Sequence, residues 1–234
     1  MRRIALLCCC VAADRLLEAT VREAAMSSPE WWEAHHQLAK LQPGTSWFGP
    51  IGRAIARDIA KRRYSRSCAL GDAMVLGSGY SKTPYWLART GAFRRVYGID
   101  SSISAVRAMS RYAKALDHGG RGGWDIVRYV KADVTRPGQF RRDASLVLDE
   151  GVLDVLQAGP GIDPAARSAA RQVMDEYLER VLELVRPGGA LVVVGYAGDP
   201  SVVNQSTLGD LSCWTRRGGF LGLDALGADP RRAC

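Results

Sequence analysis

Apolar positions in the middle of the chain fall into short blocks that alternate with helical periods. Residues 73–76 form a brief apolar run that stops at glycine, and residues 84–89 read as a helix. Residues 95–99 read as a strand ending at Asp100. Ile103, Val106, Met109, Ala113 and Leu116 share one helical face. A loop over 119–123 leads to a strand at 126–130, which is followed by Asp133, and to another at 145–148, followed by Asp149-Glu150-Gly151. Val173, Leu178, Val181, Leu182 and Val185 line a long helix, Pro187-Gly188-Gly189 reads as a turn, and residues 191–194 are a fully apolar strand. Continuous apolar strands alternating with helices predict a parallel sheet covered on both faces. Ligands of such sheets bind beyond the carboxyl ends of the strands.

Before this region, Ser27-Ser28-Pro29 can cap a helix carrying Trp31, Trp32, His35 and His36. Pro43-Gly44 ends it, and Trp47-Phe48-Gly49-Pro50 forms a loop. Ile51, Ala54, Ile55 and Ile59 then repeat at helical spacing. Residues 1–28 read as a variable, partly helical extension. Its Arg2-Arg3 and apolar stretch 4–13 resemble a short signal peptide, but the favoured reading is the first turns of a helix running into Asp14-Arg15-Leu16-Leu17. The domain expected from these patterns spans 29–197. The tail 198–234 is divergent or truncated, with Trp214-Thr215-Arg216 as a possible strand start.

Composition narrows the class. At 234 residues, with 47% hydrophobic and 24% charged residues, the chain suits one globular domain with a substantial core. No uninterrupted apolar run approaches the roughly 20 residues that span a bilayer. Six cysteines without a CxxC pair suggest neither a zinc site nor a redox pair, so no metal is expected and a reducing, cytoplasmic setting fits. The net charge of +8 comes almost entirely from arginine. Solvated surface is the ordinary account of it. Nucleic acid is not an expected partner, since no RNA-binding or zinc-finger pattern accompanies the charge.

The chemistry concentrates at the ends of the strands. Gly77-Ser78-Gly79 sits between strand and helix, where glycine permits a tight turn and a close ligand. A turn with no ligand would look the same. Asp100 follows Gly79 by 21 residues at the next strand end, the spacing at which a carboxylate accepts bonds from ribose hydroxyls. Asp133 ends the third strand, where it could accept from an adenine amino group. The residue that would complete a dinucleotide GxGxxG pattern is Lys82, which favours a nucleoside cofactor over a pyrophosphate one.

Taken together, VLGSGYS at 75–81, YGIDSS at 97–102, KADV at 131–134, LDEGVLDVLQAG at 148–159 and VRPGG at 185–189 resemble a class I S-adenosylmethionine-dependent methyltransferase. More narrowly, the chain resembles the methyltransferase-like family that modifies lysines of translation elongation factor 1-alpha, which includes the methyltransferase encoded beside endothelin-converting enzyme 2. The features that carry this are Trp31-Trp32-Glu33 with His36, the Trp47-Phe48-Gly49 loop, Ser101-Ser102 with Ala105, Met109 and Tyr112-Ala113, and Glu150-Gly151-Val152-Leu153-Asp154. The resemblance covers residues 30–197.

It implies a Rossmann-like, doubly wound, mostly parallel α/β sheet, here without an evident C-terminal antiparallel hairpin. It implies S-adenosylmethionine as cofactor, held by Trp32, His36, Trp47, Gly77, Ser78, Gly79, Asp100, Ser101, Asp133, Val134 and Glu150. His36 stands where the family usually has Tyr, and Glu150 where it often has Lys. From the residues alone, Trp32 and Trp47 could equally be core packing. Asp149, Glu150 and Asp154 are the candidate catalytic carboxylates that would orient a neutral lysine amine, with helix capping the alternative for Asp149 and Asp154. The expected activity is protein-lysine methylation of a translation-factor-like protein. The alternatives are a small-molecule methyltransferase and a non-catalytic cofactor-binding protein.

Overall fold

The computed structural model describes residues 3–8, 28–38, 42–46, 48, 51–61, 70–117, 125–136, 143–158, 164–195 and 211–215. The strands are β1 (Arg3–Cys8), β2 (Leu70–Leu76), β3 (Phe93–Asp100), β4 (Val127–Lys131), β5 (Ala144–Glu150), β6 (Val185–Gly195) and β7 (Leu211–Thr215). The helices are α1 (Pro29–Leu38), α2 (Ile51–Lys61), α3 (Thr83–Ala88), α4 (Ile103–Asp117), α5 (Val152–Ala158) and α6 (Pro164–Leu184).

The strands form one sheet in the order β4-β3-β2-β5-β6-β1-β7, and every pairing is parallel. Alternate residues of each central strand serve opposite faces. Met74, Leu76, Val147, Leu191 and Val193 pack with Tyr177, Leu178, Val181 and Leu184 of α6. Ala73, Val75, Leu146, Leu148, Val192 and Val194 pack with Ile51 and Ile55 of α2 and with Tyr85 and Leu87 of α3. Burial on both faces explains why β5 is buried along its whole length. The expected doubly wound α/β fold is thus present.

Strand order reverses at β2. From there the chain steps outward through β3 and β4, then crosses to β5 on the other side. The carboxyl ends of β2 and β5 therefore flank the topological switch point, where an open parallel sheet leaves a crevice.

Two expectations are corrected. The N-terminal apolar stretch is not helical over residues 3–8 but forms β1, which pairs with both β6 and β7. An apolar run this short carries no period that separates strand from helix. Pro187-Gly188-Gly189 lies inside β6 rather than preceding it. There the register passes from Ala144↔Val185 to Leu146↔Ala190, and the extra residues bulge out of the ladder. The far edge of the sheet holds no antiparallel pair among the described residues. β1 fills the place beside β6, and β7 continues beyond it in parallel.

Candidate functional site

The glycine turn leaves β2 at the switch point. Gly77 has φ of +67°, and a Cβ there would fall 2.7 Å from Val152 Cγ2 and 3.2 Å from the Glu150 carbonyl oxygen. Only glycine lets the end of β2 lie this close to the end of β5. Ser78 donates its N–H to the Ile99 carbonyl at 3.1 Å, tying the turn to β3. Gly79, at φ of +43°, leaves a niche: a Cβ there would lie 3.7 Å from His36 Nε2 and 4.0 Å from Asp100 Oδ2.

Asp100 closes one side of that niche. Its Oδ2 accepts the Gly79 N–H at 2.8 Å, and its Oδ1 accepts the Ser102 N–H at 2.8 Å. Burial pushes this carboxyl up from its ordinary pKa, and the two amides pull it back. His36 closes the other side from α1, which starts as the sequence suggests: Ser28 Oγ accepts the Trp31 N–H at 3.0 Å. The His36 ring is buried, and its pKa is lowered to about 4, first by desolvation and then by the neighbouring His35. It is a neutral imidazole at pH 7. Tyr80 supports it, with ring centroids 5.3 Å apart and its hydroxyl donating to the His36 carbonyl at 3.4 Å. Trp32 lies half-buried beside it, centroid to centroid 5.8 Å.

Ser78 Oγ and His36 Nδ1 are buried polar atoms with no hydrogen-bond partner among the described residues. Orphans of this kind are costly unless something else meets them. A niche that a Cβ would fill, a carboxylate and two orphaned polar atoms fit a polar nucleoside. Lys82 precedes the six-residue α3, with its Nζ 5.0 Å over the Tyr112 ring.

The other expected residues are dispersed around this centre. Ser101 is half-buried in the turn after β3. Val134 is buried in the core cluster on the α6 face. Asp133 turns onto its own loop: Oδ1 accepts from Thr135 N at 2.9 Å and Thr135 Oγ1 at 2.6 Å, and Oδ2 lies 3.5 Å from Arg136 Nε. The Ala132 N–H bonds the Asp100 carbonyl at 2.9 Å and keeps the two strand ends together. Trp47 lies outside the described residues.

The three candidate catalytic carboxylates differ sharply. Asp149 has no solvent exposure. Its Oδ1 accepts the Val152 N–H at 2.7 Å, and its Oδ2 accepts the Leu153 N–H at 3.2 Å and the Tyr177 hydroxyl at 2.8 Å. That arrangement caps α5. Glu150 Oε1 collects Ser46 Oγ at 2.9 Å, Ser81 Oγ at 2.8 Å and Thr83 Oγ1 at 3.2 Å, while its Oε2 is buried without a partner among the described residues. Burial raises both carboxyls to about 7. Asp154 is half-buried on α5, its carboxylate against Gly195 at the end of β6.

Sequence reasoning missed Ser46, Ser81, Thr83 and Tyr177, which hold these carboxylates, and Glu33, which bonds Ser102 and Ser104. The separations, 69 residues for Glu33 and Ser102, leave no local signal. No group of three or more His, Cys, Asp or Glu among the described residues could hold a metal, and no described helix is long and apolar enough to cross a membrane.

No family model matches the chain. EEF1A lysine methyltransferase 4 of Mus musculus is 29% identical over 170 residues, covering 72% of this chain and 61% of the relative. The chain thus spans about three fifths of the length of that curated relative. The CcbJ methyltransferase of Streptomyces caelestis is 20% identical, covering 73% of this chain and 57% of its own, with a TM-score of 0.49. A putative S-adenosyl-L-methionine-dependent methyltransferase of Methanococcus maripaludis is 16% identical, covering 77% of this chain and 69% of its own, with a TM-score of 0.47.

Proposed function

We propose that this chain is a class I S-adenosylmethionine-dependent methyltransferase that places a methyl group on a lysine side chain of a protein substrate. The observation that carries the cofactor reading is the convergence of Gly79, Asp100 and the neutral His36 on one niche at the switch point. The lysine reading is supported by the mouse relative alone. A translation-factor-like protein, elongation factor 1-alpha first among them, is the candidate substrate.

The residues divide by position. Asp100 would offer its remaining lone pairs to the ribose hydroxyls, Gly77, Ser78 and Gly79 would give close approach, and Trp32 and His36 would cover the site, with Trp47 assigned to that cover from the sequence alone. Ser101 would flank the base, whereas the Asp133 carboxylate is held by Thr135 and Arg136 and Val134 packs in the core cluster. When bound, S-adenosylmethionine supplies an electrophilic methyl on a sulfonium, so the chain needs to align an acceptor and exclude water rather than furnish a nucleophile. A cation beside aromatic faces is physically favoured. Of the three carboxylates, Asp154 is the one we assign to orienting the lysine amine, because it is half-buried whereas Asp149 and Glu150 are buried. Those two support the wall behind the acceptor.

The test is to incubate the purified chain with methyl-labelled S-adenosylmethionine and a cell extract. Label on a protein of the size of elongation factor 1-alpha is expected, at lysine by peptide mapping. Label only in small molecules overturns the protein-lysine reading, and cofactor binding without transfer marks a non-catalytic protein.

A further inference from the structure

We propose that Glu33 is a positioning residue, which fastens the aromatic helix α1 to the turn that carries Asp100 and so sets the cover over the cofactor niche. The inference rests on the cofactor reading above. Glu33 Oε2 accepts Ser102 Oγ at 2.7 Å and the Ser104 N–H at 3.3 Å, while Oε1 accepts Ser104 Oγ and, at 2.8 Å, Gln37 Nε2. Ser102 faces both ways. Its N–H holds Asp100 Oδ1 at 2.8 Å, and its Oγ also accepts the Ala105 N–H at 3.1 Å. A continuous path of bonds therefore runs from α1 through Glu33, Ser102 and Asp100 to the Gly79 N–H.

The chemistry suits a carboxylate at this place. The first turn of α4 has N–H groups with no partner in its own helix. Glu33 takes the one on Ser104, and the Ser102 hydroxyl takes the one on Ala105. The positive end of the 15-residue α4 favours the negative charge. Burial alone would raise the Glu33 carboxyl, but the bonds from Ser104, Ser102 and Gln37 outweigh it and hold the pKa near 2. The side chain is ionised at neutral pH.

The position within α1 gives the clamp its use. Glu33 is three residues before His36, on the same helical face. A helix of ten residues is marginal by itself, so its placement comes from its attachments. Glu33 fixes the rotation at which His36 meets Gly79 and Tyr80.

Isothermal titration with S-adenosylhomocysteine, read beside hydrogen exchange, tests the assignment. Glu33→Ala is expected to weaken binding by about tenfold or more and to quicken exchange in residues 29–38 while leaving β2, β3 and β5 protected. Ser104→Ala, which leaves α1 untouched, is expected to shift both readings less and in the same direction. Wild-type affinity in Glu33→Ala overturns the inference alone, as does exchange that quickens across the whole sheet. Failure of the unaltered chain to bind overturns the cofactor reading, and the inference falls with it.

Discussion

Asp100 and Gly79 lock each other in place: the carboxylate that faces the niche also holds, at 2.8 Å, the N–H of the glycine that forms its floor. Turn and carboxylate thus form one rigid unit before any ligand arrives. Preorganisation of this kind reduces the ordering cost of binding.

The two glycines of the turn can be separated by substitution. Gly79→Ala places its Cβ at ordinary contact distance, 3.7 Å from His36 Nε2. Its cost to folding is expected to be about 1–2 kcal/mol, from the left-handed backbone alone. Cofactor affinity should fall by roughly tenfold or more, because the methyl group occupies the niche. Gly77→Ala should be worse for folding, since its Cβ would strike Val152 at 2.7 Å. Thermal unfolding and calorimetry on both variants check the contrast.

Asp100→Ala should abolish measurable cofactor binding. It also strands two backbone N–H groups, on Gly79 and Ser102. A loss of about 2–4 kcal/mol in denaturant unfolding is therefore expected, with the circular dichroism of the folded state retained. Unchanged affinity would remove Asp100 from the site.

The enclosed carboxylates make stability depend on pH. Burial raises Asp149 and Glu150 to about 7 from ordinary values of 3.8 and 4.5. Between those limits the folded chain binds more protons than the unfolded one. Their contribution is full below about pH 4 and is lost as pH rises through about 7. Glu33 acts in the opposite sense and matters only in acid, its contribution fading as pH falls through about 2. His36, lowered from 6.5 to about 4, opposes Asp149 and Glu150 below about pH 6.5, so the melting temperature should fall chiefly from about pH 6.5 to pH 8, and Glu150→Gln should flatten that slope because the amide oxygen still accepts from Ser81 and Ser46.

Tyr177→Phe removes the hydroxyl that bonds Asp149 Oδ2 at 2.8 Å, deep under α5. A destabilisation of about 1–2 kcal/mol is expected in urea unfolding, with cofactor affinity within about twofold of the unaltered chain. A large loss of affinity would show that the α5 cap reaches the niche.

The central strands and the glycine turn could be read from sequence because their signals are local. The apolar run before Gly77 and the acid that ends β3 lie within one unit of chain. β1 escaped because five apolar residues carry no decisive period, and because its partners come from the opposite terminus. The place of Asp133 was legible but not its hydrogen bonding, since nothing in KADV says that Thr135 and Arg136 will occupy the carboxylate. The hydroxyls around Glu150 come from two separate segments, and only the assembled fold brings them together.

The pairing of Arg3 with Ala190 and of Ile4 with Leu211 has a kinetic consequence. During synthesis β1 emerges well before either of its neighbours, β6 and β7. Joining residues so far apart carries a loop-closure penalty that local β2–β3 and β3–β4 pairing avoids. The half of the sheet from β4 to β5 can assemble before β6 and β7 are made, whereas β1 has to wait for both of them. β1 should therefore join the sheet late in folding and stay soluble and unpaired in the meantime.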